Sequence, residues 1–238
     1  MAAAAWGAIA GRLILPAAYR MAVPADTPWR DTCPAGHPLP AGTRGWLTSP
    51  RCPNPADAAV RTRTTVPALT ALICALLAAA TGLHPELLAW LLLTPPAILL
   101  ALVDARAHRL PDRLTLPLTA ATLLLLGAAS LLPGSAGSWP RAAWAALVLG
   151  CAFFLIFLAS PKAMGFGDVK LAPALGAMLG WYGWHVLLLG ILAGYVIAAV
   201  HGLILLARHK ATGSTPLPFG PPLLLGTAIG VALGATIT

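Results

Sequence analysis

The chain has 238 residues, 58% of them hydrophobic and only 9% charged, whereas a soluble domain carries roughly 25% charged residues. That balance excludes an ordinary soluble globule and places the chain in a membrane. The formal charge of +8 does not point to nucleic acid, because the cations sit at the ends of apolar runs and form no basic face with aromatics for stacking.

Eight apolar runs of roughly the length needed to cross a bilayer follow one another, predicting an all-α polytopic helical bundle. The first, Ala3 to Tyr19, carries Arg12 in its middle, where an arginine costs about 2.5 to 3.5 kcal/mol on insertion scales. That residue is expected to snorkel or to pair inside the bundle. A cleaved signal peptide is the competing reading, against which no Lys or Arg precedes the apolar stretch.

Residues 1–20 thus form a first membrane helix, and residues 21–65 a short irregular cytoplasmic loop rich in Pro, Arg, Thr and Asp. Residues 66–238 form a membrane domain. Its spans run from Val66 to Leu83, Leu87 to Val103, Leu114 to Leu132, Ala142 to Ser160, Leu171 to Trp184, His185 to Ala207 and Pro221 to Ile237. The sixth span of the chain is short and ends at Trp181, Tyr182 and Trp184, which suits an interfacial aromatic belt.

Arg20, Arg30, Arg44, Arg51, Arg61 and Arg63 follow span one, Arg106, Arg109 and Arg113 follow span three, Lys162 and Lys170 follow span five, and Arg208 and Lys210 follow span seven. All four loops fall on one side, which the positive-inside rule makes cytoplasmic, with both termini outside. The opposite loops hold His84, Glu86 and the stretch from Gly134 to Ser138, with Arg141 as the exception. Within the spans, His185 and His201 are read as satisfying local hydrogen bonds in the bundle.

Of seven acids, three stand where a cytoplasmic loop meets a span: Asp104, Asp112 and Asp168. Two carboxylates held a few ångströms apart cannot both ionise, so such a pair shares one proton. One member can then activate water for attack on a peptide carbonyl while the other polarises that carbonyl and protonates the leaving amine. The structural alternative is helix capping. It is favoured for Asp112, behind Pro111, and stands level with function for Asp168, behind Gly165-Phe166-Gly167. Asp104 ends a span, where a helix dipole disfavours negative charge, and has the weakest structural explanation.

Three stretches carry a family resemblance: Gly165-Phe166-Gly167-Asp168, Asp104 through Leu110-Pro111-Asp112 to Leu116-Pro117-Leu118, and Pro218-Phe219-Gly220-Pro221. Together they resemble the type IV prepilin peptidases, Gly-x-Gly-Asp membrane aspartyl proteases. Residues Gly7 to Gly11 and Tyr19 to Pro24 are similar to that family's first span and its exit. The resemblance implies catalytic Asp104 and Asp168, supported by Gly165, Gly167, Lys170 and Asp112. It implies an inner-membrane, multi-pass protease whose site faces the cytoplasm. The substrate would be a prepilin or pseudopilin precursor with a short basic leader ahead of an apolar helix, cut after a glycine. No nucleic acid is implied, and membrane lipid surrounds the bundle.

Many members also methylate the new N-terminus with S-adenosylmethionine. Members that bind zinc in the loop after span one carry two Cys-x-x-Cys pairs, whereas this loop has Cys33, His37 and a single Cys52, three ligands of four, which Asp31 or Asp57 completes only with favourable geometry. A closed tetrahedral site wants four ligands, so zinc is not expected and methylation is in question, while proteolysis requires neither. Two competing readings remain. In one, the acids form the ion relay of a transporter component, which predicts acids at mid-span; in the other, the chain is a catalytically inactive pilin-binding scaffold. A shared proton predicts a bell-shaped dependence of rate on pH.

Overall fold

The computed structural model describes residues 1–24, 27–33, 36–47, 57–161, 164–208 and 217–237. Among these, the regular elements are nine α-helices, with no strand beyond one isolated bridge between Thr32 and Pro38. The helices are α1 (Ala2–Met21), α2 (Gly42–Leu47), α3 (Asp57–Thr81), α4 (Glu86–Ala107), α5 (Asp112–Ser130), α6 (Trp139–Ala159), α7 (Phe166–Gly180), α8 (Trp184–Ala207) and α9 (Gly220–Ile237). Seven of them, all but α2 and α7, are long and apolar enough to cross a membrane. The chain is a multi-pass membrane protein.

The expected sixth span is α7, and its 15 residues rise about 22 Å, short of a hydrocarbon core of about 30 Å. Its position makes up for its length. Leu171, Ala172, Ala174, Leu175, Ala177 and Leu179 are all completely buried, against α5, α6, α8 and α9. Neighbouring helices surround it, and close approach rests on small side chains: a Cβ on Gly176 would lie 2.5 Å from the Ala145 carbonyl oxygen.

Small residues serve the other pairs in the same way, since lipid provides no hydrophobic drive between helices and packing decides association. Gly7 and Gly11 of α1 meet α3, where a Cβ on Gly7 would lie 2.6 Å from the Thr70 carbonyl. On α9, Gly226 abuts the backbone of Gly190 and Gly194 in α8. That contact holds α9 in place and so fixes where its N-terminus points.

At the end of the bundle remote from Asp104, several expectations change. Trp181 is fully buried and Tyr182 nearly so, leaving Trp184 as the exposed member of the cluster; α7 runs through the interior, so its last residues fill core instead of forming an interfacial belt. Tyr182 accepts a hydrogen bond from Trp90 Nε1 at 3.1 Å. Glu86, assigned to an outer loop, is completely buried and accepts the Ala136 N–H at 3.2 Å. Arg141, the exception to the charge rule, donates to the carbonyls of Gly180 at 3.0 Å and Trp181 at 2.6 Å. It is retained on that side because it satisfies the open C-terminus of α7.

Arg12 lies on the exposed face of α1, the snorkelling arrangement. His185 and His201 are exposed as well, outside the bundle interior where they were expected. The polar stretch is less irregular than its composition suggests, because α2 falls within it and α3 begins at Asp57, nine residues before Val66. Arginines tie it to the bundle: Arg109 donates to the Pro24 carbonyl at 2.7 Å, Arg20 to that of Pro40 at 2.8 Å and Arg30 to that of Tyr19 at 3.2 Å. Arg113 stacks 5.0 Å over Trp29, itself edge-on to Trp46.

Candidate active site

Asp104 occupies the last turn of α4, where its own carbonyl accepts the N–H of His108 at 2.8 Å. His108 ends the helix in the left-handed region, φ 49°, turning the chain toward Leu110 and Pro111. The Asp104 carboxyl is buried, at 6% exposure, and the C-terminal dipole of α4 opposes its charge. A second helix offsets that opposition. The Gly220 N–H at the start of α9 donates to Asp104 Oδ2 at 2.9 Å, so the positive end of one helix is applied to an acid at the negative end of another.

Asp168 lies in the first turn of α7, whose cap residue is Gly165. Its carboxyl is buried at 8% exposure and takes a hydrogen bond from the Gly165 backbone N–H, the reach-back of a third-position acid to the cap. The structural reading of Asp168 therefore holds in part, as a helix-start acid. Its environment goes further: burial first, and the charge of Asp104 second, raise the carboxyl of Asp168 to about 7. The charge of Asp104 thus reaches an acid 64 residues further along the sequence.

Neither glycine of the Gly-x-Gly-Asp stretch has positive φ, so conformational freedom is not what they supply. They supply space. A Cβ on Gly167 would lie 3.0 Å from Leu110 Cβ, and one on Gly165 would lie 3.3 Å from Asp168 Oδ2. Leu110 belongs to the Leu-Pro-Asp stretch, so Gly167 sets the start of α7 directly against the turn that follows Asp104.

Asp112 is not a capping residue, as the cap position of α5 is Pro111 and no side-chain cap is made. It forms an ion pair with Lys170 at 2.6 Å, tying α5 to α7. Lys170 also lies 4.7 Å over the Phe166 ring. Asp112 is more than half exposed and Lys170 a quarter exposed, and exposed pairs contribute about 0.2 to 1 kcal/mol. Lys170→Ala and Asp112→Asn should each leave the thermal midpoint within a few degrees of wild type and slow turnover severalfold at most, as read by melting and by rate in the same detergent. A loss as large as that from substituting Asp104 or Asp168 would give Asp112 a different role.

Two neighbours of the carboxyls carry no signal of that role in the sequence. Gly220 reads there only as part of the Pro218-to-Pro221 motif, because its hydrogen bond to a residue 116 positions away has no local signal. Tyr195 of α8 stands between Phe153 of α6 and Phe219 beside Gly220, with ring centroids at 6.5 and 6.1 Å, and so forms an aromatic wall next to the carboxyls.

Of the residues considered for zinc, Cys33 Sγ and His37 Nδ1 lie 3.5 Å apart across a turn closed by backbone bonds between Cys33 and His37 and between Gly36 and Cys33. Cys52 lies outside the described residues. Among the described residues no group of three or more His, Cys, Asp or Glu could hold a metal; like Cys52, the Asp57 side chain is not among them.

The profile of the type IV leader peptidase family matches residues 91–203, a stretch that contains both carboxyls. A prepilin leader peptidase/N-methyltransferase of Stutzerimonas stutzeri is 39% identical over 155 residues, covering 63% of this chain and 51% of its own length. One of Aeromonas salmonicida is 37% identical over 230 residues, 92% of this chain and 75% of that one. The leader peptidase HopD of Salmonella typhimurium is 38% identical over 131 residues, 52% of this chain and 79% of that one. The chain spans about half the length of the first curated relatives it matches. No solved structure matches.

Proposed function

Because this chain belongs to the type IV leader peptidase family, we propose that it is a prepilin leader peptidase, hydrolysing its precursor at the cytoplasmic face of the inner membrane with Asp104 and Asp168. The observation that supports this reading is a pair of buried carboxyls, each served by one glycine N–H, in which the charge of Asp104 acts on Asp168.

The pair holds one proton at neutral pH. Asp104 faces the N-terminus of α9 through Gly220, which favours charge there, and Asp168 at about 7 favours keeping the proton. Ionised Asp104 then takes a proton from water as the water oxygen attacks the scissile carbonyl. Protonated Asp168 hydrogen-bonds the carbonyl oxygen and then transfers that one proton to the departing amine as the C–N bond breaks, while the proton Asp104 took from water leaves the pair again holding one. Burial of both groups strengthens each of these interactions by excluding bulk water. This sequence of steps requires no metal. Methylation with S-adenosylmethionine stands outside the proposal, since the loop to which the resemblance assigns it lacks the paired Cys-x-x-Cys pattern.

The test is incubation of the purified full chain, in lipid nanodiscs, with a precursor carrying a short basic leader ahead of an apolar helix. A single cut after the glycine that ends the leader is expected. The rate should fall as pH rises through about 7, because Asp168 loses the proton it donates. It should fall again in acid, when Asp104 gains one and no base remains. An uncut precursor, or a rate that ignores pH across this range, would remove the proposal.

A further inference from the structure

A cavity of 330 Å³ lies between α3, α4 and α9, with Met178 of α7 at its floor. It is not the carboxyl site, but it adjoins it: Ala105 and Pro221, both in its wall, are the chain neighbours of Asp104 and Gly220. Along α4 the wall runs from Trp90 to Ala105, a rise of about 22 Å. Leu69 and Leu225 on its edges are half exposed, so it opens sideways, where lipid surrounds the bundle.

Its chemistry is uniform. Apart from the buried indole of Trp90, which donates to Tyr182, the polar side chains in the wall are Thr94 and Thr227. Each donates to a carbonyl of its own helix, Trp90 at 2.7 Å and Leu223 at 2.8 Å. The groove therefore offers an occupant no polar partner, and suits one whose polar groups are satisfied internally.

We infer that this groove receives the apolar helix that follows the scissile bond of the precursor, laying it along α4 so that the preceding peptide bond emerges at Asp104 and Asp168. The inference rests on the peptidase reading above and names where its substrate is held. Two observations favour a helix over an acyl chain. Ala97, Ala101 and Ala105 recur every fourth residue along the α4 wall, the small-residue spacing that lets two membrane helices approach closely. At its Ala105 and Pro221 end the wall runs into Asp104 and Gly220, where a lipid would have to set its phosphate beside a buried carboxyl and a polypeptide sets its next peptide group.

The experiment uses full-length protein in nanodiscs, with a photo-crosslinking amino acid at Ala101 or Leu225, and at the lipid-facing residue Leu192 of α8 as control. The Asp168→Asn background traps uncut precursor. Crosslinks from positions 101 and 225, but not 192, should map to the precursor's apolar helix. In the active background, Ala101→Trp should raise KM for the precursor at least about tenfold, while a short peptide holding the leader and cleavage site without the helix is cut at the wild-type rate. Ala101→Leu, a milder filling, should give the same pattern more weakly. Crosslinks only to lipid or only to a second copy of the chain would overturn the inference, as would equal slowing of both substrates. If wild-type protein cuts neither substrate, the peptidase reading falls and takes the inference with it; if it cuts both and the variants do not discriminate, only the inference falls.

Discussion

Asparagine in place of Asp104 or Asp168 is expected to slow precursor cleavage by about a thousandfold, the middle of the range for removing a general acid or base. Each substitution keeps the shape of the side chain and its place beside Gly220 or Gly165, so folding is not the reason for the loss. The double substitution should cost little more than either single one, because a pair sharing one proton acts as a unit and its members' effects do not add. The same series separates Asp112, whose asparagine variant removes only an exposed ion pair to Lys170. Rates under single-turnover conditions, together with melting curves, check all four proteins. A single asparagine variant that cleaves at the normal rate would show that its residue is not part of the reacting pair.

Gly220→Ala should separate activity from stability. An added Cβ would lie 2.7 Å from Asp104 Oδ2, and the atom in its way is the end of a side chain, which moves. The carboxyl is expected to swing off the α9 N-terminus and lose its backbone donor. A misplacement of about 1 Å at a reacting group can cost a hundredfold in rate, so activity should fall by about that factor while the melting temperature stays near wild type. Gly226→Ala, six residues along the same helix, makes the comparison. Its Cβ would meet the backbone of Gly190 and Gly194, which cannot step aside, and overpacking of this kind costs about 1 to 3 kcal/mol. That variant should melt early. If Gly220→Ala also melts early and Gly226→Ala does not, the account of how α9 is held is wrong.

Much of the architecture was legible because lipid imposes it. A backbone in hydrocarbon must satisfy its own hydrogen bonds, so apolar runs of span length become helices, and all eight expected spans correspond in order to helices of the structure. The same logic made Asp104 stand out, since a charge at the end of α4 opposes that helix's dipole and no local contact explains it. Where the reading missed, position in the bundle was the cause. Trp181 and Tyr182 look interfacial by composition, but α7 is interior. Glu86 looks like a loop acid, but its oxygen serves the Ala136 N–H from fifty residues away. Asp112 looks like a cap, but Pro111 takes that position and the acid pairs with Lys170.

By itself, the order of residues determined the membrane location, the helices and the short list of acids able to do chemistry, because each of these follows from local composition and spacing. Only the tertiary structure decided which of those acids are buried and what surrounds them. Setting the start of α7 against the turn after Asp104 depends on Gly167 fitting against Leu110, and setting Gly220 at Asp104 depends on glycines in α8 and α9 that let helices touch backbone to backbone. Those contacts join residues tens to more than a hundred positions apart, a distance over which neither hydrophobic periodicity nor motif spacing carries information.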